Sequence, residues 1–196
     1  RWFDPNLASH LLCDSMNIFV VDENPELAAR SLCDKHVVKM ILESAQLLST
    51  THHIIDGEEL PPAKGSKKKR YKHHSPYKES ILYKITHINH PCTIWARETT
   101  ENYEWLFRHF VEMCKEYTRR YGKIHACERN DELMNILREP PAALQSKGLT
   151  TFAQAMPDAY KSPISAVDAY RTYYIHDKAR FATWRIPEHK PEWFNI

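Results

Sequence analysis

Glycine is scarce in this chain, with four residues in 196, at positions 57, 65, 122 and 148. Sheets joined by tight turns draw on glycine, and no alternating run long enough for a sheet follows Val21, so the chain reads as mainly helical. Long apolar runs are missing too. None approaches the roughly 18 residues of a membrane span, and the first residues lack the charged-then-apolar order of a signal peptide. Cysteine is sparse and odd in number: Cys13, Cys33, Cys92, Cys114 and Cys127 are widely spaced and form no CxxC pair. That removes a zinc knuckle and a dithiol motif, and it fits a reducing cytoplasm. Charge of one sign is lacking as well, since the formal net charge is only +2. No global field points to a polyanion or a membrane, and any basic surface must come from local clustering.

What is present is apolar and aromatic material: 42% hydrophobic and 11% aromatic residues. That is enough for one core without staples, so a single domain is expected. The segment MNIFVVDENP reads as a natural start at Met16, followed by a short apolar strand or lead-in. This makes residues 1–15 either an added extension or a genuine segment that packs through Trp2, Leu11 and Leu12, and residues 16–196 one helical domain. The expected protein is cytoplasmic (host cytoplasm if phage-encoded), monomeric, and without membrane or cofactor.

Helix signals recur along the chain. Asn24 before Pro25 can cap a first helix. Ser31 with Asp34 has the spacing of a capping box for a second helix, which runs to about His53 and stops at Asp56-Gly57 and Pro61-Pro62. A polar, basic loop follows, AKGSKKKRYKHHSPY. Asn89-His90-Pro91 opens another helical stretch, and TTENYEWLFRHFVEMCKEYTRRYG predicts a long amphipathic helix ended by Gly122, with Trp105, Phe110, Met113 and Tyr117 at core spacing. A third long helix is expected after Ser165, carrying Tyr170, Tyr173, Tyr174, Phe181 and Trp184. Between these helices EPPAALQSKGLTTFAQAMPDAYKSP is proline-rich and irregular. The expected fold is all-α: a compact single-domain bundle of several helices with a basic loop and an irregular proline-rich segment.

The second helix poses the chemical question. At about 100° per residue, Val37, Val38, Ile41, Leu42, Ala45 and Leu48 cover a broad arc, with Met40 and Leu47 extending it. His36, Lys39, Glu43, Gln46 and Thr50 share the narrow sector that remains. A solvated face explains a lone charge, and Lys39 and Glu43 at i,i+4 can simply pair. A strip this thin, flanked by apolar residues, also fits the floor of a cleft, where charges must pair or act. Elsewhere, THINHPCTIWARE holds His87, His90, Trp95 and Arg97. Two histidines three apart suit a metal as well as a helix cap. Lys64, Lys67, Lys68, Lys69, Arg70 and Lys72 concentrate positive charge in one loop, which suits either a solvated loop or a nucleic-acid backbone. In AYRTYYIHDKARFATWR the aromatics suit the core, which leaves Arg171, Lys178, Arg180 and Arg185 for phosphates.

In this order the pieces resemble the pyrimidine dimer DNA glycosylases of the endonuclease V type, and they are similar to phage proteins that open on an MNIF-like segment and carry DKHVVKM. The resemblance rests on Asp34, His36 and Glu43 of one helix, on His90 to Trp95 leading into the long charged helix, and on AYRTYYIHDK. It implies an all-helical enzyme that kinks double-stranded DNA, displaces a base and cuts its glycosidic bond, without a metal. It further implies a nucleophile at the N-terminal amine, Met16 or Asn17 here, with Glu43 holding charge and assisting strand cleavage, and His36 and Asp34 orienting it. His90 joins this catalytic set, and Lys67, Lys68, Lys69, Arg70, Lys72, Arg97, Arg171 and Lys178 form the set for DNA. Two departures stand out. The family's N-terminal threonine is absent, and Leu42 stands where the family has an arginine before the glutamate. Lys39 is then a substitute amine, or water the nucleophile with Glu43 as base. The competing readings are a non-enzymatic nucleic-acid-binding phage protein and a metal-dependent phosphohydrolase built on His176-Asp177. The latter needs a later aspartate, and none follows Asp177.

Overall fold

The computed structural model describes residues 16–195; the extension expected at residues 1–15 lies outside them. Met16 to Val21 form a buried stretch that belongs to no strand. A strand is prevented by Asn17, whose Oδ1 accepts from the amides of Ile18 at 2.8 Å and Phe19 at 3.1 Å, while its Nδ2 donates to the Ala155 carbonyl at 2.7 Å. The bend puts Phe19 at φ 53°. A left-handed residue other than glycine costs about 1–2 kcal/mol. The Asn17 bonds and the Phe19 ring, stacked 4.2 Å from the His36 ring, offset that cost.

Helix α1 (Pro25–Ser31) is capped by Asn24, which accepts from Glu26 and Leu27 as its sequence predicts. Helix α2 (Asp34–Ile55) starts differently from expectation. Leu32 and Cys33 are extended, and Cys33 caps α2 without a side-chain bond. The Ser31 and Asp34 capping box is not formed, because the Asp34 carboxylate is taken by Arg120, Thr183 and the amide of Arg185.

The basic loop is also more ordered than expected. Strand β1 (Gly57–Leu60) pairs antiparallel with β2 (Arg70–His73), with Gly57 opposite His73 and Leu60 opposite Arg70. Four residues are too few for alternation to declare a strand, yet β2 alternates: Arg70 and Lys72 face solvent, and His73 is buried. The hairpin leaves α2 so abruptly that a Cβ on Gly57 would lie 2.3 Å from the His53 carbonyl oxygen and 2.6 Å from that of Lys72. Only glycine fits there.

Four more helices follow: α3 (Pro76–Ile81), α4 (Pro91–Ala96), α5 (Thr100–Tyr121) and α6 (Asp131–Arg138). Helix α5 is the long helix predicted, capped by Thr99, ended by Gly122 at φ 64°, and burying Trp105, Phe110 and Met113 against α1 and α2. The proline-rich stretch is irregular as expected, with one 3-10 turn at Asp158–Tyr160. Helix α7 (Ala166–Tyr173) is shorter than its sequence suggests. It loosens into a π-helical turn at Tyr174–Lys178 and does not continue to Trp184. Tertiary bonds outweigh helical propensity here: the Thr183 carbonyl accepts from the Asp34 amide at 2.8 Å, and Trp184 Nε1 donates to the Ser31 carbonyl at 3.1 Å. The result is the mostly helical compact domain expected, with a small hairpin added. Among the described residues no helix is long and apolar enough to cross a membrane.

Candidate active site

Glu43 lies midway along α2 and is 8% exposed. Its Oε2 accepts from the backbone nitrogens of Met16 at 3.1 Å and Asn17 at 3.3 Å, and its Oε1 meets Lys39 Nζ at 3.2 Å. The bend enforced by Asn17 and Phe19 turns the start of the described chain back onto α2, so residues 27 apart in sequence meet. Burial pushes the Glu43 carboxyl above its ordinary range, against the opposing pull of Lys39 and the two amides. That pull is modest because the Lys39 side chain is 41% exposed and water screens the pair. The site therefore holds a carboxylate with raised proton affinity against a backbone nitrogen and a lysine amine.

The polar strip read from the sequence is redistributed. His36, Glu43 and Thr50 are buried, Gln46 is half-buried, and Lys39 is exposed. Val38 and Leu42, expected in the buried arc, are 43% and 40% exposed. They line a groove of about 580 Å³ beside Lys39, Glu43 and Gln46, closed on the far side by Tyr83, His125 and Ala126. The cleft wall is thus partly apolar. Nothing in the spacing of Tyr83 or His125 announces their place in it, since both arrive by tertiary packing.

The other candidates are dispersed. His36 stacks on Phe19 and shares a 2.6 Å hydrogen bond with the Tyr174 hydroxyl. Seven residues separate it from Glu43, about 10 Å of helical rise, so direct orientation of the carboxylate is out of reach. Asp34 belongs to a different centre, bonded by Arg120 Nη1 at 3.2 Å, Thr183 Oγ1 at 3.1 Å and the Arg185 amide at 3.0 Å. His90 caps α4, its Nδ1 accepting from the Cys92 amide at 3.2 Å.

Of the residues assigned to DNA, Lys67, Lys68, Lys69, Arg70 and Lys72 are exposed on the hairpin. Lys69 meets Glu59 at 3.2 Å. Arg97 is half-buried and donates to the Ile88 carbonyl at 2.6 Å. Lys178 departs from the expectation of a surface cation, and Arg171 is half-buried. Arg171 Nε holds the Val21 carbonyl at 2.9 Å, and Lys178 is 1% exposed with its Nζ 4.4 Å from the Tyr173 ring centre. Lys178 sits in the π-helical turn that replaces the expected helix, while Arg171 lies within α7 with its side chain 31% exposed, 3.4 Å from Asp22 Oδ2.

Residues 16–129 match the family model described as pyrimidine dimer DNA glycosylase. The chain belongs to the pyrimidine dimer DNA glycosylase family. No curated protein and no solved structure matches it. The matched span includes Glu43, the hairpin and the whole of α5, and it stops before α6 and α7. For a pyrimidine dimer DNA glycosylase the substrate is DNA, and at Glu43 the described geometry sets a buried carboxylate beside a lysine amine at the edge of a groove.

Proposed function

We propose that this glycosylase excises a damaged pyrimidine from double-stranded DNA by amine attack at the sugar C1′, with Glu43 stabilising the positive charge that develops there. The observation that carries the reading is the 3.1 Å contact between Glu43 Oε2 and the Met16 nitrogen. In a chain that begins at Met16 that nitrogen is a primary amine; in one that begins at Asn17 the amine is the Asn17 nitrogen, 3.3 Å from the same oxygen. The amine forms a bond to C1′ as the glycosidic bond breaks and its electrons leave with the base. Ring opening gives an imine, and Glu43 can then accept the C2′ proton as the 3′ phosphate departs. The apolar groove at Val38 and Leu42 suits a displaced base, whose unstacking is least costly at a lesion. Phosphates fall to the hairpin lysines.

Lys39 supports a second nucleophile, because its Nζ is 3.2 Å from Glu43 Oε1 and it is an amine whether or not the chain begins at Met16. Borohydride trapping decides between them. The protein, full-length and beginning at Met16, is incubated with duplexes carrying ultraviolet photoproducts or abasic sites, reduced, and analysed by mass spectrometry. The expected adduct is on the first residue of the shorter protein. An adduct on Lys39 moves the nucleophile, and abasic product without any adduct makes the enzyme a water-using glycosylase. No product and no adduct on any duplex overturns the enzymatic reading. Replacing Lys67, Lys68 and Lys69 by Gln is expected to lower the slope of log affinity against log salt by about 0.9 for each phosphate no longer neutralised.

A further inference from the structure

A second cluster lies at the other end of α2, nine residues or about 13 Å from Glu43. Among the described residues, one ligand atom from each of His52, Asp56 and His73 lies within 4.8 Å of the other two. His52 lies on the last turn of α2 and Asp56, four residues on, caps its C-terminus, and the β1–β2 pairing brings His73 over them. We propose that these three residues bind a divalent transition-metal ion, zinc in the first instance, which pins the hairpin to the end of α2.

Two ring nitrogens stand out once the hydrogen bonds are counted. His52 is fully buried, and its Nε2 lies 2.9 Å from the Tyr103 hydroxyl, whose own hydrogen goes to the Leu137 carbonyl at 2.9 Å. Nε2 therefore carries the proton, and a lone pair remains on Nδ1, which has no partner among the described residues. His73, 4% exposed, likewise has an unpartnered Nε2. Two buried imidazole nitrogens without partners are costly unless something sits between them.

Asp56 supplies the negative charge. Its Oδ2 accepts from the Ala142 amide at 2.7 Å and its Oδ1 from the Ala143 amide at 2.9 Å, which fixes the carboxylate while leaving lone pairs for an ion. Held ligands of this kind, with outer hydrogen bonds setting their orientation, are what a metal site requires. Burial of both rings favours the neutral imidazole, the form that offers a lone pair to a metal. Lys78 brings positive charge toward both rings, and Glu79 opposes it at His73.

Two adjustments accompany loading. Donors of a tetrahedral zinc with bonds of ~2.0–2.1 Å lie roughly 3.3 Å apart, so the ion draws the three groups inward. The Ser75 amide now donates to His73 Nδ1 at 2.9 Å. Coordination through Nε2 moves the ring proton to Nδ1 and gives up that one neutral bond for a metal bond. Two histidines, one carboxylate and a fourth position for water complete a zinc-type set. Because the ligands come from the helix end, the turn after it and β2, and the outer bonds from residues 142 and 143, the ion acts as a clasp between segments. The clasp requires neither a hairpin that touches DNA nor a catalytic Glu43.

The test uses the full chain, stripped with a chelator, dialysed, and titrated with zinc against a chromogenic competitor. Cobalt absorption is recorded in parallel. One ion per chain is expected, with intense visible cobalt bands of four-coordinate type and a higher thermal midpoint when loaded. His73→Asn and Asp56→Asn are expected to weaken zinc at least ~10–100-fold, the loss that even outer-shell changes cause. His74→Asn, one residue along and exposed, is expected to leave affinity unchanged. If the variants fold poorly by circular dichroism, the cobalt spectrum and stoichiometry of the unaltered chain decide. Absence of a tight ion, a six-coordinate cobalt spectrum, or equal affinity in folded His73→Asn would each overturn the proposal.

Discussion

Two buried carboxylates, Glu43 of α2 and Glu116 of α5, show how differently one fold can treat the same group. Glu116 is fully buried among two arginines and a histidine. Arg119 Nη1 meets Oε1 at 2.5 Å, while Arg120 Nε at 3.1 Å and His189 Nδ1 at 2.8 Å meet Oε2. Arg120 in turn donates to the carbonyls of Arg30 and Leu32, both at 2.8 Å, and to Asp34. Every strong donor is matched, so this centre cements the α1–α2 junction to α5 and the C-terminal segment. Among the described residues Glu43 meets a half-solvated lysine and two weak backbone donors, and a groove opens beside it. A carboxylate with its bonds filled holds structure together. One left partly unfilled, with raised proton affinity, remains available to chemistry.

The largest effect that would break this contrast is at Arg120. Arg120→Leu leaves Glu116 and Asp34 without their shared cation and is expected to cost about 3–5 kcal/mol, the penalty for removing one partner of a buried ion pair. Denaturant melts measure it, and a loss under ~1 kcal/mol, typical of exposed pairs, would mean the centre is not cement. Next is Glu43→Gln. Its side chain can still accept from the Met16 and Asn17 amides, so folding should hold while single-turnover excision falls ~10²–10³-fold, as when one oxyanion-stabilising donor is lost.

The pH dependence sharpens the same point. Glu43 holds its proton more tightly folded than unfolded. Its ionisation therefore works against folding, and the stability of the native protein relative to Glu43→Gln should fall as pH rises from the unfolded carboxyl value of about 4.5 through the higher folded value, then level off. Paired melts across that range check the sign, and a gap that shifts the other way, favouring the native protein more as pH rises, would reverse the reading. The smallest effect belongs to Lys39→Gln, expected to change stability by no more than ~0.5 kcal/mol because its pair with Glu43 is half in water. A larger loss would make Lys39 structural.

Local features were legible in the sequence. Asn24, Ser165 and Gly122 mark helix ends through bonds to their nearest neighbours, and periodicity places α2 and α5. Glu43 was legible because a charge in a narrow strip must meet something. What failed were judgements that depend on distant partners. Asp34 reads as a cap or an orienting acid until Arg120, 86 residues away, claims it. Val38 and Leu42 read as core because periodicity reports apolarity, and no described segment of the fold covers them fully. Lys178 reads as a surface cation because nothing local says that α7 will loosen into a π turn. His52, Asp56 and His73 escaped notice because strand pairing, rather than spacing, brings the third residue to the first two.

The glycine at position 57 has a mechanical consequence. It acts as a pivot with no slack, and the strands beyond it extend about 13 Å at ~3.3 Å per residue before reaching the lysines. On an arm of that length a rotation of roughly 10° at the base would shift the tip by roughly 2 Å, comparable to the ~1.7 Å axial spacing of charge along duplex DNA. If the hairpin lysines hold phosphates as proposed above, their placement along a duplex would follow the stiffness of the joint at Gly57, and lengthening the arm would alter their register more than exchanging one cation for another.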